Sequence, residues 1–241
     1  MLNFLGRGGA FNFKEGNTSA YVKEGNKLFL LDCGETTFAD IGELGLLDDI
    51  EDIHVIITHT HADHVGSLST LIFYCHYILQ ISLQIYYCSK NQRNTLSQIL
   101  NLMGCSEDKF SFHKLSELVG IFKTFQKITC YETPHTETVE SYGFVFETEQ
   151  GSIVYSGDTN DVNKIKVYAL SDNVCKLYVE TTLLDYDGNV HISLKKLCAA
   201  IPTEMRRKIY CMHVNNNECI KEAIKQGFNV VEITNNIIDT K

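Results

Sequence analysis

The chain has 241 residues, 44% of them hydrophobic, with 2 Pro and no Trp. That length suits one large α/β domain or two small ones, and no linker, repeat, low-complexity tract or charge block marks a boundary. A formal charge of −9 argues against a broad nucleic-acid surface, which needs basic stripes. It leaves a small anionic substrate open, because bound metal ions dominate a local field.

In chain order, Met1 to Gly9 is too short and too glycine-rich for a secretory h-region. Thr18–Lys23 and Lys27–Asp32 read as a hairpin around Glu24-Gly25-Asn26, followed by a short helix over 38–47. The β-branched run before residue 58 reads as a buried strand over 52–58, and Val65 to Leu79 suits a helix. Residues 71–88 form the one stretch apolar enough to suggest a membrane, but His76, Gln80, Ser82 and Gln84 interrupt it, so a core helix and a strand at Leu83–Ser89 are expected. A helix over 90–103 follows. Strands are expected over 121–133 and 142–156, the second turning at Glu149-Gln150-Gly151. A helix near 160–170, a strand at 174–180, a helix at 193–200, a strand at 208–212 and a helix at 217–226 complete the pattern. Strands followed by helices in each half fit two packed sheets covered by helices.

Residues 58–66, Thr-His-Thr-His-Ala-Asp-His-Val-Gly, carry the chemistry. His59, His61, Asp63 and His64 put three imidazoles and a carboxylate into six positions. Alternation along an extended segment lets His59 and His61 face one side, while Asp63 and His64 aim at a neighbouring point, which suits two metal ions close together. Crowded imidazoles without a metal would repel when protonated and waste bonding capacity when neutral. His135, Asp158 and His213 each follow a strand at its C-terminal end, where open sheets place their sites. The 9 Cys form no C-x-x-C pair and mostly lie in apolar stretches, which fits reduced thiols in the cytoplasm.

The order His-x-His-x-Asp-His, lone His, Gly-Asp, lone His resembles the metallo-β-lactamase superfamily over nearly the whole chain. The resemblance implies an α/β (α+β) fold, a four-layer αββα sandwich, as one hydrolase domain over residues 1–241. It implies two divalent ions, with zinc first and manganese or iron open. His59, His61 and His135 would hold one ion, Asp63, His64 and His213 the other, and Asp158 would bridge them. Asp32, in Leu31-Asp32-Cys33-Gly34, matches an early acidic residue that supports a ligand without binding the metal.

Phe4-Leu5-Gly6-Arg7-Gly8-Gly9-Ala10, Asn17-Thr18-Ser19, Val179-Glu180-Thr181-Thr182 and His191-Ile192-Ser193 resemble the RNase Z group and its phosphodiesterase relatives. The resemblance implies that Glu180 supports His191 and that His191 acts on the leaving group, so that Asp63, His191 and Glu180 form the catalytic set. Only 23 positions separate His135 from Asp158, which leaves no room for the tRNA-holding arm of RNase Z. The spacing is more similar to small cyclic phosphodiesterases, although no Cys precedes Cys33 to build the extra zinc site some of them carry. The expected function is therefore a phosphodiesterase using a metal-bridged hydroxide. Two ions bring about +4 against about −3 from Asp63, Asp158 and that hydroxide, leaving a net attraction for an anionic phosphodiester or cyclic nucleotide. A lactone, thioester or β-lactam hydrolase of the same fold is the alternative. A diiron redox protein fits less well, because such proteins carry Glu where His61 stands, and tRNA 3′-processing is disfavoured by the missing arm. No membrane partner is expected, and a homodimer is left open.

Overall fold

The computed structural model describes residues 1–234; the expected domain runs to residue 241, and its last seven positions, 235–241, lie outside the described residues. Two six-stranded sheets follow the same plan. The first holds β1 (Asn3–Gly6), β2 (Ser19–Glu24), β3 (Lys27–Leu31), β4 (Asp52–Ile56), β5 (Leu83–Tyr87) and β6 (Phe110–Lys114) in sequential order. Its first three strands are antiparallel, and β3 to β6 run parallel. The second holds β7 (Lys127–Thr133), β8 (Ser141–Thr148), β9 (Gly151–Tyr155), β10 (Val174–Glu180), β11 (Ile209–Met212) and β12 (Asn229–Val230). There β7 to β9 are antiparallel and β9 to β12 parallel.

The helices are α1 (Thr37–Glu43), α2 (Ala62–Val65), α3 (Leu68–Tyr74), α4 (Lys90–Leu102), α5 (Val162–Leu170), α6 (Leu194–Ala200) and α7 (Asn217–Lys225). Parallel strands need such crossovers.

Strand alternation divides the apolar side chains among three cores, which define four layers. In β3, Leu28 and Leu30 face outward with Ile41 of α1, Leu68 of α3 and Leu96 of α4. Phe29 and Leu31 face the second sheet, meeting Phe144, Phe146 and Tyr155. In β10, Tyr178 joins this inter-sheet core, while Leu177 and Val179 pack under Ile165, Leu197 and Ala223. Phe29 sits edge-on to Phe122, Phe125 and Phe146 at centroid distances of 5.8, 5.3 and 6.1 Å, a geometry aromatic quadrupoles favour. The fold is the expected four-layer αββα sandwich.

Some elements differ from expectation. The strand expected from residue 121 starts at Lys127; Phe122 and Phe125 are apolar because turns insert them between the sheets, not because they belong to a strand. The helix expected over 65–79 is broken into α2 and α3 and ends in a π-helical turn at Cys75–Leu79. The helix expected over 38–47 ends at Glu43. β1, β6 and β12 were not expected. Among the described residues no helix is long and apolar enough to cross a membrane, and all nine cysteines are free.

Candidate metal centre

The seven ligand-type residues converge at one end of both sheets. His59 and His61 follow β4, and Asp63 and His64 lie in α2. His135, Asp158 and His213 follow β7, β9 and β11, and Glu180 ends β10. His59 Nε2 lies 2.9 Å from His61 Nδ1, which lies 3.2 Å from His135 Nε2. His64 Nε2 lies 3.4 Å from His213 Nε2, and Asp63 Oδ2 lies 3.0 Å from the latter and 3.4 Å from the former. Asp158 stands between the groups: Oδ2 is 3.9 Å from His59 Nε2, 3.8 Å from His135 Nε2 and 3.5 Å from His213 Nε2, and Oδ1 is 3.6 Å from His64 Nε2.

Local backbone contacts fix this layout. Asp32 takes a left-handed conformation (φ 67°) directly after β3 and accepts from the Thr58 N–H at 2.7 Å and the Thr58 hydroxyl at 2.9 Å. His213 also has a positive φ, 53°, and its N–H donates to Thr18 Oγ1 at 3.1 Å. Such conformations are costly and persist where surrounding bonds over-determine them. Gly34 passes so close to the Asp63 carbonyl that a Cβ would collide with that backbone.

The outward nitrogens decide which tautomer each ring adopts. Thr58 gives its hydroxyl proton to Asp32, so at 3.0 Å its oxygen accepts from His59 Nδ1–H. His64 Nδ1–H donates to Asp32 Oδ2 at 2.9 Å. His135 Nδ1 faces the Val190 carbonyl at 3.4 Å. At His59 and His135 Nε2 is left as a lone pair aimed at the centre, and at His64 Nε2 is the nitrogen a cation would deprotonate, the arrangement that metal-binding histidines adopt.

Electrostatics add a second argument. Burial, reinforced by His64, holds His59 well below its usual value, and burial pulls His135 down to about 4, so these rings are neutral near pH 7. Asp32, Asp63, Asp158 and Glu180 are all buried, and among the described residues their ion-pair partners are imidazoles only. Burial opposes charge on Asp63 and Asp158, yet His213 and His64 hold both below the carboxylate range. The same carboxylates outweigh burial at His64 and raise it well above its usual value. Such a concentration of buried acid without Lys or Arg calls for cations. Ligand nitrogens placed tetrahedrally about 2.0–2.1 Å from an ion stand roughly 3.3 Å apart, close to the spacings observed. The residues present therefore fit a metal centre.

Glu180 and His191 meet at the edge of this cluster. His191 Nδ1 lies 2.5 Å from Glu180 Oε2 and 3.7 Å from Asp158 Oδ2. The other Glu180 oxygen accepts from the Thr159 N–H. Burial would lower the His191 pKa, but Glu180 outweighs it and raises the ring to about 9; burial and Asp158 push Glu180 up to about 7. A cavity of about 430 Å³ opens over these groups, lined by His61, Asp63, Asp158, His191 and His213 and by Phe11, Leu184 and Tyr186 on its rim. A second cavity of about 390 Å³ lies beside His135, but neither Asp158 nor His191 lines it. The first is therefore where a substrate would meet the cluster.

Thr58, Thr18, the Thr159 N–H and the Val190 carbonyl escaped sequence reasoning. Thr58 carried a signal in its position directly before His59, and Thr18 in the Asn17-Thr18-Ser19 motif. The rim residues Phe11, Leu184 and Tyr186 carried none.

The fold and this cluster define the protein as a member of the metallo-β-lactamase fold. Its structure superposes on the metallo-β-lactamase fold protein YhfI from Bacillus subtilis with a TM-score of 0.71 at 17% identity, covering 97% of this chain and 95% of that one. The short form of human tRNase Z gives a TM-score of 0.63 at 19% identity, covering 96% of each chain. Within that fold the chain belongs to the family described as Anti-Pycsar protein Apyc1, which it matches over residues 1–234. Similar relatives bearing that description include one from Paenibacillus xerothermodurans, 35% identical over 228 residues (90% of this chain, 88% of the relative). Another, from Bacillus phage 010DV004, is 30% identical over 240 residues (90% and 89%).

Proposed function

We propose that this chain is a metal-dependent phosphodiesterase acting on a small anionic substrate such as a nucleoside cyclic phosphate. His59, His61 and His135 would hold one divalent ion, Asp63, His64 and His213 a second, and Asp158 both. Zinc is the first choice because imidazole suits it, and the donors also suit iron. When bound, such ions polarise a phosphoryl oxygen and make a nucleophilic water available at neutral pH. Because the ligands proposed for each ion come from both sheets, we read the chain as one hydrolase domain.

The observation that carries the reading is the Glu180–His191 pair, 2.5 Å apart at the edge of the cluster. A phosphodiester expels an alkoxide, which needs a proton; a β-lactam or lactone hydrolase needs such a donor less. Glu180 keeps His191 protonated and fixes its Nδ1, leaving Nε2 for the cavity the ring lines. Asp63, His191 and Glu180 thus form the catalytic set. Family membership accords with a cyclic-nucleotide substrate. The acidic charge of −9 and the short β8–β9 hairpin, which fills the interval between His135 and Asp158, disfavour tRNA. Nine free thiols accord with the cytoplasm.

The test is a substrate panel with metal-loaded protein. Bis(p-nitrophenyl) phosphate or a nucleoside cyclic phosphate should be cleaved in preference to nitrocefin and acyl-homoserine lactones. A clear preference for a β-lactam, lactone or thioester would overturn the proposal.

A further inference from the structure

We infer that Phe11, Leu184 and Tyr186 form a stacking subsite for a planar heterocyclic base, holding it while the phosphate occupies the floor of the cavity. The inference rests on the phosphodiester reading above and names the part of the substrate that reading leaves open. The three side chains are large, apolar and exposed, at 89%, 54% and 59% of their surface, yet all line the cavity that contains Asp158 and His191. Large apolar side chains left more than half exposed at the mouth of a reactive cavity waste apolar surface unless a ligand covers them.

Their positions are set by the backbone. Phe11 lies between Gly9, whose N–H donates to the Val214 carbonyl at 3.1 Å, and Asn12, whose Nδ2 donates to the same carbonyl at 2.9 Å. The Asn12 N–H also donates to the Gly9 carbonyl at 3.0 Å. Leu184 and Tyr186 lie on the connection from β10 to α6, the segment that carries His191. There the Leu183 N–H donates to Asn215 Oδ1 at 3.1 Å, Asn189 Nδ2 to the Leu184 carbonyl at 2.8 Å, and the Asn189 N–H to the Tyr186 carbonyl at 3.2 Å. Two pinned loops therefore present these side chains, which limits the ordering cost on binding.

The cavity thus has two poles, a floor of carboxylates and imidazoles suited to cations and phosphate, and an apolar rim. A mononucleotide has the same two poles, and about 430 Å³ lies in the range of small-molecule sites. A second copy of this chain seated on the rim would instead close the mouth over the reacting groups.

The test compares adenosine 3′,5′-cyclic phosphate with its base-free analogue, the cyclic phosphate of 1-deoxyribose, in wild type, Phe11→Ala, Tyr186→Ala and Phe13→Ala. Phe13 is equally exposed, at 86%, but does not line the cavity. In wild type the base should lower KM about 5- to 150-fold. Phe11→Ala and Tyr186→Ala should close most of that gap, with kcat moving far less, and Phe13→Ala should preserve it. Turnover of both substrates with the gap intact in the Phe11 and Tyr186 variants would overturn the subsite alone. An intact gap together with dissociation of a dimer in sedimentation would assign the rim to a second copy and also overturn it. Turnover of neither substrate by metal-loaded wild type would remove the phosphodiester reading, and the subsite with it.

Discussion

Glu180 serves two rings at once: one oxygen lies 2.5 Å from His191 Nδ1 and 3.8 Å from His213 Nδ1. The two histidines should nevertheless respond differently to substitution. His191→Ala should leave metal content nearly unchanged and lower turnover by roughly 10²–10⁴-fold for an alkoxide leaving group. The loss should be much smaller for p-nitrophenolate, which departs without a proton. Equal losses on both, or loss of an ion, would remove the proton-donor role. His61→Ala, in contrast, should lose at least one ion by elemental analysis. For the donor, the pH dependence has a definite sign. A raised folded pKa keeps the ring protonated to higher pH, so the rate with an alkoxide leaving group falls on the alkaline side. Glu180→Gln removes the partner that raises His191 and should shift that alkaline limb to lower pH. The ligand-type residues were legible in the sequence because three of the histidines and Asp63 are bunched in six positions and the others end apolar strands. The residues that orient them were not, because a backbone carbonyl such as that of Val190 or a hydroxyl such as that of Thr58 has no sequence signature of its role.

At the scale of elements, the hairpins and parallel strands were legible from β-branched runs and turn residues. The four-residue β1 and two-residue β12 are too short for a period to show, and β6 carries Ser111 and His113 among its aromatics. The stretch from residue 121 misled because burial between sheets produces the same apolar composition as a strand. Position-specific packing predicts two opposite outcomes for glycine substitution. Gly34→Ala drives a Cβ into the Asp63 backbone at the start of α2, so it should destabilise by about 1–3 kcal/mol and weaken metal uptake. Gly42→Ala lies within α1, where an added Cβ meets nothing within 4 Å, and should stabilise by roughly 0.4–1 kcal/mol. Chemical denaturation with metal analysis distinguishes them; a neutral Gly34→Ala would mean that the approach of the segment after β3 to α2 can relax.

For the whole molecule, the centre links stability to metal and to pH. Ions that bind the folded chain alone stabilise it by mass action, so chelation should lower Tm and re-addition of zinc restore it. In the chelated protein, His135 is held down to about 4 by burial, while the unfolded ring titrates near 6.5. Between those values the unfolded chain binds the extra proton, so stability falls as pH falls through that window. Urea denaturation of chelated wild type should show this decline, and His135→Asn should reduce it, with His59, also held down by burial, supplying what remains. The two sheets meet mainly through side chains of the aromatic core, with a backbone bond from the Tyr142 N–H to the Thr58 carbonyl, 3.1 Å, at the site itself. Each of the two proposed ligand groups draws on both: His59 and His61 from one sheet, His135 from the other; Asp63 and His64 from one, His213 from the other. Loaded ions would act as a clasp across that seam, and the clasp cannot shut before its halves arrive. During refolding, ion capture should lag behind the appearance of strands and helices and so time the docking of one sheet on the other.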